Sequence, residues 1–134
     1  MKTNKKVFYL PMIIIAATIF ILSSIQQPEF INIGFEFTDK ILHFIAYFSL
    51  GSATIIGLVR NKDEWSRKKL IMVVLLIGAL YGASDETHQL FVPGRSCDIA
   101  DWIADCVGIS FSLLFINIFD KLTFRIMTRL ENKV

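Results

Sequence analysis

Four stretches without a charged side chain constrain this chain more than any other feature. Residues 7–25 and 41–59 each run for 19 residues without an acid, Lys or Arg; residues 70–84 run for 15, and residues 106–119 for 14. A helix must offer about 20 apolar residues to cross a hydrocarbon core of roughly 30 Å. The first two runs meet that length. The third and fourth meet it only when their charged flanks are included, as 70–90 and 99–119. The expected architecture is an all-α integral membrane bundle of four transmembrane helices, at about 7–25, 41–59, 70–90 and 99–119, forming one domain over residues 1–134. Composition agrees: 54% of residues are hydrophobic and only 19% are charged, with a mean hydropathy of +0.55.

The basic residues set an orientation. Lys2, Lys5 and Lys6 precede the first run, Arg60, Lys62, Arg67, Lys68 and Lys69 join the second to the third, and Lys121, Arg125, Arg129 and Lys133 follow the fourth. Only Lys40 and Arg95 fall in the other two connections. The excess of Lys and Arg in cytoplasmic loops predicts that both termini and the middle loop are cytoplasmic. The net charge of +2 and the lack of a basic tract give no reason to expect a nucleic-acid partner. The first run is too long for a secretory signal core and lacks a small-residue cleavage site after it, so it reads as a retained span.

The short third and fourth runs force acids to shallow membrane depth. Fifteen residues cover only about 22 Å, so Asp85, Glu86 and His88 fall inside the end of the third span and Asp101 and Asp105 inside the start of the fourth. An ionised side chain costs about 2.5–3.5 kcal/mol at the centre of an inserted helix and less toward the interface. Five such groups are expected to face the bundle interior, to pair, or to line a wet recess.

Helical spacing groups them. Asp39, His43 and Tyr47 form a stripe at the start of helix two, and Asp85, His88 and Gln89 share a face at the end of helix three, one turn beyond Tyr81. Glu86 lies about 100° away. Asp98, Asp101 and Asp105 follow one face of helix four. Lys40 and Arg95 stand beside them, Arg95 after a Pro93-Gly94 turn. The candidate polar pocket is therefore Asp39, Lys40, His43, Tyr47, Asp85, Glu86, His88, Gln89, Arg95, Asp98, Asp101 and Asp105. Asp39 and Asp98 also suit helix N-caps, and Arg95 suits either an anion or a structural ion pair. Ser84 and Ser96 lack a nucleophile context. Carboxylates of this kind suit a hard divalent cation, but no metal-ligand motif marks one and no metal site is assigned. No cofactor is identified.

Three smaller features complete the reading. Gly78 and Gly82 have the Gly-x-x-x-Gly spacing that permits close helix packing. Residues 31–38 alternate apolar and polar, which predicts an extended interfacial loop or a lid. Cys97 and Cys106 are nine residues apart on or near one helix, too far for a bridge unless Cys97 folds back.

Two blocks resemble the VanZ-like family of small bacterial membrane proteins. One is Asp39-Lys40-x-x-His43-Phe44-x-x-Tyr47. The other runs Tyr81-Gly82-x-x-Asp85-Glu86-x-His88-Gln89-x-Phe91-Val92-Pro93-Gly94-Arg95-x-x-Asp98-x-x-Asp101. With the four-span layout, the resemblance covers residues 7–119. The family pattern commonly has Asn where this chain has Asp105, and a Gly that matches Gly108. The resemblance implies a multi-pass protein of the bacterial cytoplasmic membrane and a link to the cell envelope and to antibiotic resistance of the teicoplanin type. Combined with the polar cluster, it predicts an outward-facing pocket for an anionic lipid or a lipid-linked precursor. The alternatives are an enzyme acting on a lipid head group by His/carboxylate acid–base chemistry, and an accessory protein of an envelope complex.

Overall fold

The computed structural model describes residues 4–26, 38–61 and 64–132. Among them every regular element is helical. A 3-10 turn over Lys5–Tyr9 leads into α1, Leu10–Ser23; α2 covers Thr38–Asn61, α3 Arg67–Gln89, α4 Ile99–Ser112 and α5 Ile116–Glu131. A short 3-10 turn, Leu113–Phe115, joins α4 to α5. Four helical stretches are long and apolar enough to cross a membrane: Lys5–Ser23, Thr38–Asn61, Arg67–Gln89 and Ile99–Glu131. The expected four-span all-α bundle is present.

Local sequence explains the helix boundaries. Asn4 caps the first turn by accepting from Lys6 N at 3.1 Å, and Pro11 sits in the first turn of α1, where its missing N–H leaves no gap. Ser66 caps α3 by accepting from Lys69 N. Asp98 caps α4, its Oδ1 accepting from Ala100 N at 2.8 Å. Val92 to Arg95 forms a tight turn closed by Arg95 N donating to Val92 O at 3.1 Å. Gly94 has φ 80°, the value a type II turn needs at its third residue, with Pro favoured just before it. The alternating segment 31–38 lies outside the described residues except for Thr38.

The helices run antiparallel, so one end of the bundle collects the chain's beginning, the α2–α3 junction and α5. There Asn61 Nδ2 donates to Lys5 O at 2.9 Å, Arg67 Nη1 donates to Asn117 Oδ1 at 2.7 Å, and Arg60 pairs with Asp120. The opposite end carries Ser24, Asp39, Lys40, His88, Arg95 and Asp98, and is called here the site end.

α2 is the central helix, packed against every other helix and most extensively against α4. Lipid tails are as apolar as the side chains they touch, so small residues that let backbones approach matter more than burial of apolar area. Gly108 lies against the backbone of Phe44 and Phe48, where a Cβ would come within 2.9 Å of Phe48 N. Gly78 accepts the Ile109 side chain, and Gly82 faces Asp105 and Trp102. The Gly-x-x-x-Gly spacing of α3 is thus the seat of α4. Trp102 Nε1 donates across the same seam to Ala79 O at 3.0 Å.

α5 extends the last helix well past the expected end at 119. From Ile99 to Glu131 the stretch has 33 residues, about 50 Å at the helical rise. Charged residues do not end a helix, and no Gly or Pro follows Gly108. Leu122, Ile126 and Leu130 fall on one side of α5, and Lys121, Arg125 and Thr128 on the other.

Candidate functional site

The core of the site lies where α2, α3 and α4 meet. His43 of α2 places Nδ1 at 2.9 Å from Asp105 Oδ1 of α4, a hydrogen bond in which the ring N–H donates. The same nitrogen is 3.9 Å from Glu86 Oε1 of α3. Asp105 is fully enclosed, Glu86 is 3% exposed and His43 is 9% exposed. Glu86 Oε2 accepts from Asp98 N at 2.9 Å, which ties α3 to the cap of α4. Tyr47, one turn along from His43, is buried with its ring stacked on the His43 side at 6.5 Å.

Around this core the other candidates divide. Lys40 Nζ donates to Asp98 Oδ2 at 3.0 Å and to Asp101 Oδ1 at 3.1 Å. Its charge is shared between two carboxylates on α4. The Asp98 carboxyl, which stands outside the spans, is held below the usual carboxylate range first by the Ala100 N–H and then by Lys40. Asp85 is buried, and Gln89 Nε2 donates to its Oδ2 at 3.4 Å. Asp39 stands in the first turn of α2, partly exposed.

Two candidates turn to α1. His88 stacks on Phe20 with ring centroids 4.7 Å apart, and its Nε2 is 3.0 Å from Ser24 Oγ. Because that hydroxyl gives its one proton to Phe20 O at 2.6 Å, the His88 Nε2–H donates. Arg95 donates from Nε to Ile25 O at 3.3 Å and from Nη2 to Leu22 O at 3.2 Å. Both carbonyls stand at the end of α1, and Leu22 O also accepts from Ile25 N at 3.3 Å. Among the described residues Arg95 has no carboxylate partner.

A cavity of about 470 Å³ opens between α1, α2 and α3. Ile19, Leu22, Leu42 and Ile45 form its apolar wall; Asp39, His43, Tyr47, Asp85, Gln89 and Arg95 give it polar groups. Six of the twelve sequence candidates therefore line one cavity. Lys40, Glu86, Asp98, Asp101 and Asp105 are not among its lining residues, and His88 faces α1. The α1 contribution was not visible in the sequence. Ser23, Ser24 and Gln26 carry no charge, and the Ser23-Ser24 pair closing an apolar run was the one sign that this end is polar.

Fold and site together define a multi-pass helical membrane protein with an acid-rich polar centre near one end of its spans. A model of the VanZ/LLP1 family matches residues 3–120. The chain belongs to that family, and the match spans all the elements that build the cavity. Neither a curated protein nor a solved structure gave a match to the chain.

Proposed function

We propose that this VanZ-like protein resides in the bacterial cytoplasmic membrane with both termini inside, and that its cavity, opening toward the outer side, holds an amphiphile with an anionic head group. The head group would be that of an envelope lipid or a lipid-linked precursor, and its capture would alter susceptibility to teicoplanin-type glycopeptides. The orientation rests on the gathering of Lys5, Lys6, Arg60 and Arg67 at the end opposite the site.

One observation carries the ligand class. Arg95 lines a cavity together with apolar residues such as Ile19, Leu22, Leu42 and Ile45, and forms no ion pair with a carboxylate among the described residues. A guanidinium has five N–H donors; the two α1 carbonyls occupy two, and the rest suit a bidentate phosphate or carboxylate. Lys40 is less available, because Asp98 and Asp101 already hold it. The test is lipid co-purification. Wild-type protein should retain an anionic lipid through gentle detergent extraction, and Arg95→Ala should lose most of it. Retention unchanged in Arg95→Ala overturns the assignment.

The His43–Asp105 pair favours a second reading. A carboxylate that fixes Nδ1 leaves Nε2 as the basic nitrogen, and His43 lines the cavity. Such a pair suits acid–base catalysis on a bound head group. Turnover of a membrane lipid by purified protein, abolished in His43→Gln with lipid retention intact, would select this reading; absence of turnover across the lipid classes that co-purify rejects it.

A further inference from the structure

Carboxylates at the site end outnumber the cations that face them. Asp85, Glu86, Asp101 and Asp105 are 5%, 3%, 4% and 0% exposed, and Asp39 and Asp98 stand beside them. Against these the described residues set Lys40, shared by Asp98 and Asp101, and the His43 imidazole. Arg95 is directed at α1 carbonyls. Removing an ion from water costs several kcal/mol even after relaxation unless an opposite charge compensates it.

An independent observation points to the same place. Glu86 Oε1, Asp105 Oδ2 and Tyr47 Oη are buried side-chain atoms with no hydrogen-bond partner among the described residues. Buried polar atoms almost always have a partner. Here three that do not belong to neighbouring residues of one cluster, and two of them are carboxylate oxygens, which accept but do not donate when ionised.

The spacing fits a metal ion. One donor atom from each of His43, Glu86 and Asp105 lies within 4.8 Å of the other two. Bonds of about 2.0–2.1 Å to a tetrahedral zinc put ligand atoms about 3.3 Å apart. The distances from His43 Nδ1, 2.9 Å to Asp105 Oδ1 and 3.9 Å to Glu86 Oε1, bracket that value. The three ligands come from three helices, so a bound ion would fasten α2, α3 and α4 at one point. An imidazole with two carboxylates suits a borderline cation better than Mg²⁺ or Ca²⁺, which prefer oxygen alone.

We propose that His43, Glu86 and Asp105 form a three-ligand site for a divalent cation of the zinc class. On binding, the ring proton of His43 moves from Nδ1 to Nε2, which frees the Nδ1 lone pair for the ion, and the ion replaces the hydrogen bond to Asp105. Two carboxylates and a dication leave the cluster neutral, and the ion sits at the cavity wall formed by His43 and Tyr47. The site stands independently of what the cavity binds.

The experiment uses the full chain in detergent, stripped with a chelator, in a Cys97→Ser background that removes the exposed thiol. Zinc chloride alone is titrated by calorimetry, and bound metal is counted after desalting. One Zn²⁺ per chain is expected, with affinity at least tenfold lower in Glu86→Gln and in Asp105→Asn, and unchanged in Asp120→Asn, whose carboxylate lies at the opposite end of the bundle. Where one variant fails to fold, the other and His43→Gln decide. X-ray absorption of the wild-type complex should show nitrogen and oxygen donors without sulfur. No saturable binding, binding unaffected by the ligand variants, or a sulfur-ligated spectrum each overturns the proposal. No lipid enters the titration, so its failure leaves the amphiphile reading to its own test.

Discussion

His43 on α2 and Asp105 on α4 meet through a 2.9 Å hydrogen bond whose acceptor is wholly enclosed. The contact joins the two most extensively packed helices of the bundle. It also sits one turn from Gly108, where α4 lies against the α2 backbone at Phe44 and Phe48. Packing and polar chemistry therefore depend on each other: the glycine lets α4 approach, and the approach lets an acid on α4 reach an imidazole on α2.

Removing one member of that pair should be costly. Asp105→Ala leaves the His43 N–H buried without its acceptor, and a buried donor left unsatisfied costs about 1–3 kcal/mol. Asp105→Asn retains an oxygen acceptor and should cost less than half as much. Unfolding in detergent with chelator present, followed by circular dichroism, measures both. Equal losses for the two variants would mean that the carboxylate fills space without bonding to His43.

The two glycine seams should respond differently to a methyl group. A Cβ at Gly108 meets the backbone of Phe44 and Phe48, which can yield only by moving α2. A Cβ at Gly78 meets the side chain of the buried Ile109, which is stiff at χ1 but can yield without moving a backbone. Overpacking costs typically about 1–3 kcal/mol. Gly108→Ala should fall at the top of that range or beyond, and Gly78→Ala below it. Thermal unfolding of the two purified variants gives the order directly, and the reverse order would contradict the helix separation described here.

Much of this arrangement was legible in the sequence, and what was not has physical causes. Charge-free runs locate four spans because lipid tolerates little else. Helical spacing correctly gathers Asp85 with Gln89. It also gathers His88, yet His88 turns to α1 while Glu86 turns to α4. A helix flanked on both sides splits one polar stripe between two neighbours, and spacing along a single helix carries no record of them. The partners of Lys40 and Arg95 were hidden for a similar reason. Both were candidates for an external anion, and only assembled coordinates show Lys40 claimed by Asp98 and Asp101 and Arg95 bonded to Leu22 and Ile25. The length of α5 was underestimated because hydropathy ends at Asp120 although helix-forming residues continue.

Two tyrosines make a controlled comparison. Tyr81 Oη donates to Ala16 O at 2.6 Å and fastens α3 to α1, whereas Tyr47 Oη has no partner among the described residues. A hydrogen bond contributes about 1 kcal/mol net, and a buried unsatisfied hydroxyl costs about as much or more. Tyr81→Phe should therefore destabilise the chelator-treated protein by about 1 kcal/mol, and Tyr47→Phe should leave it unchanged or slightly more stable. Destabilisation by Tyr47→Phe would reveal a partner for that hydroxyl.

The proposed orientation has a direct chemical test in the two ends of the bundle. Cys97 is exposed in the connection between α3 and α4, at the site end. Arg125 lies on the polar side of α5, toward the opposite end. If Lys and Arg mark the cytoplasmic side, a membrane-impermeant maleimide applied to intact cells should label Cys97 in the native chain. It should leave Arg125→Cys, made in a Cys97→Ser background, unlabelled until the cells are permeabilised. Cys106 is half-buried within α4, at membrane depth, where a charged reagent has little access. The opposite labelling pattern would place the acid-rich centre near the cytoplasmic face. The cavity would then be closed to any ligand arriving from outside the cell, and the link to envelope precursors exposed there would fail with it.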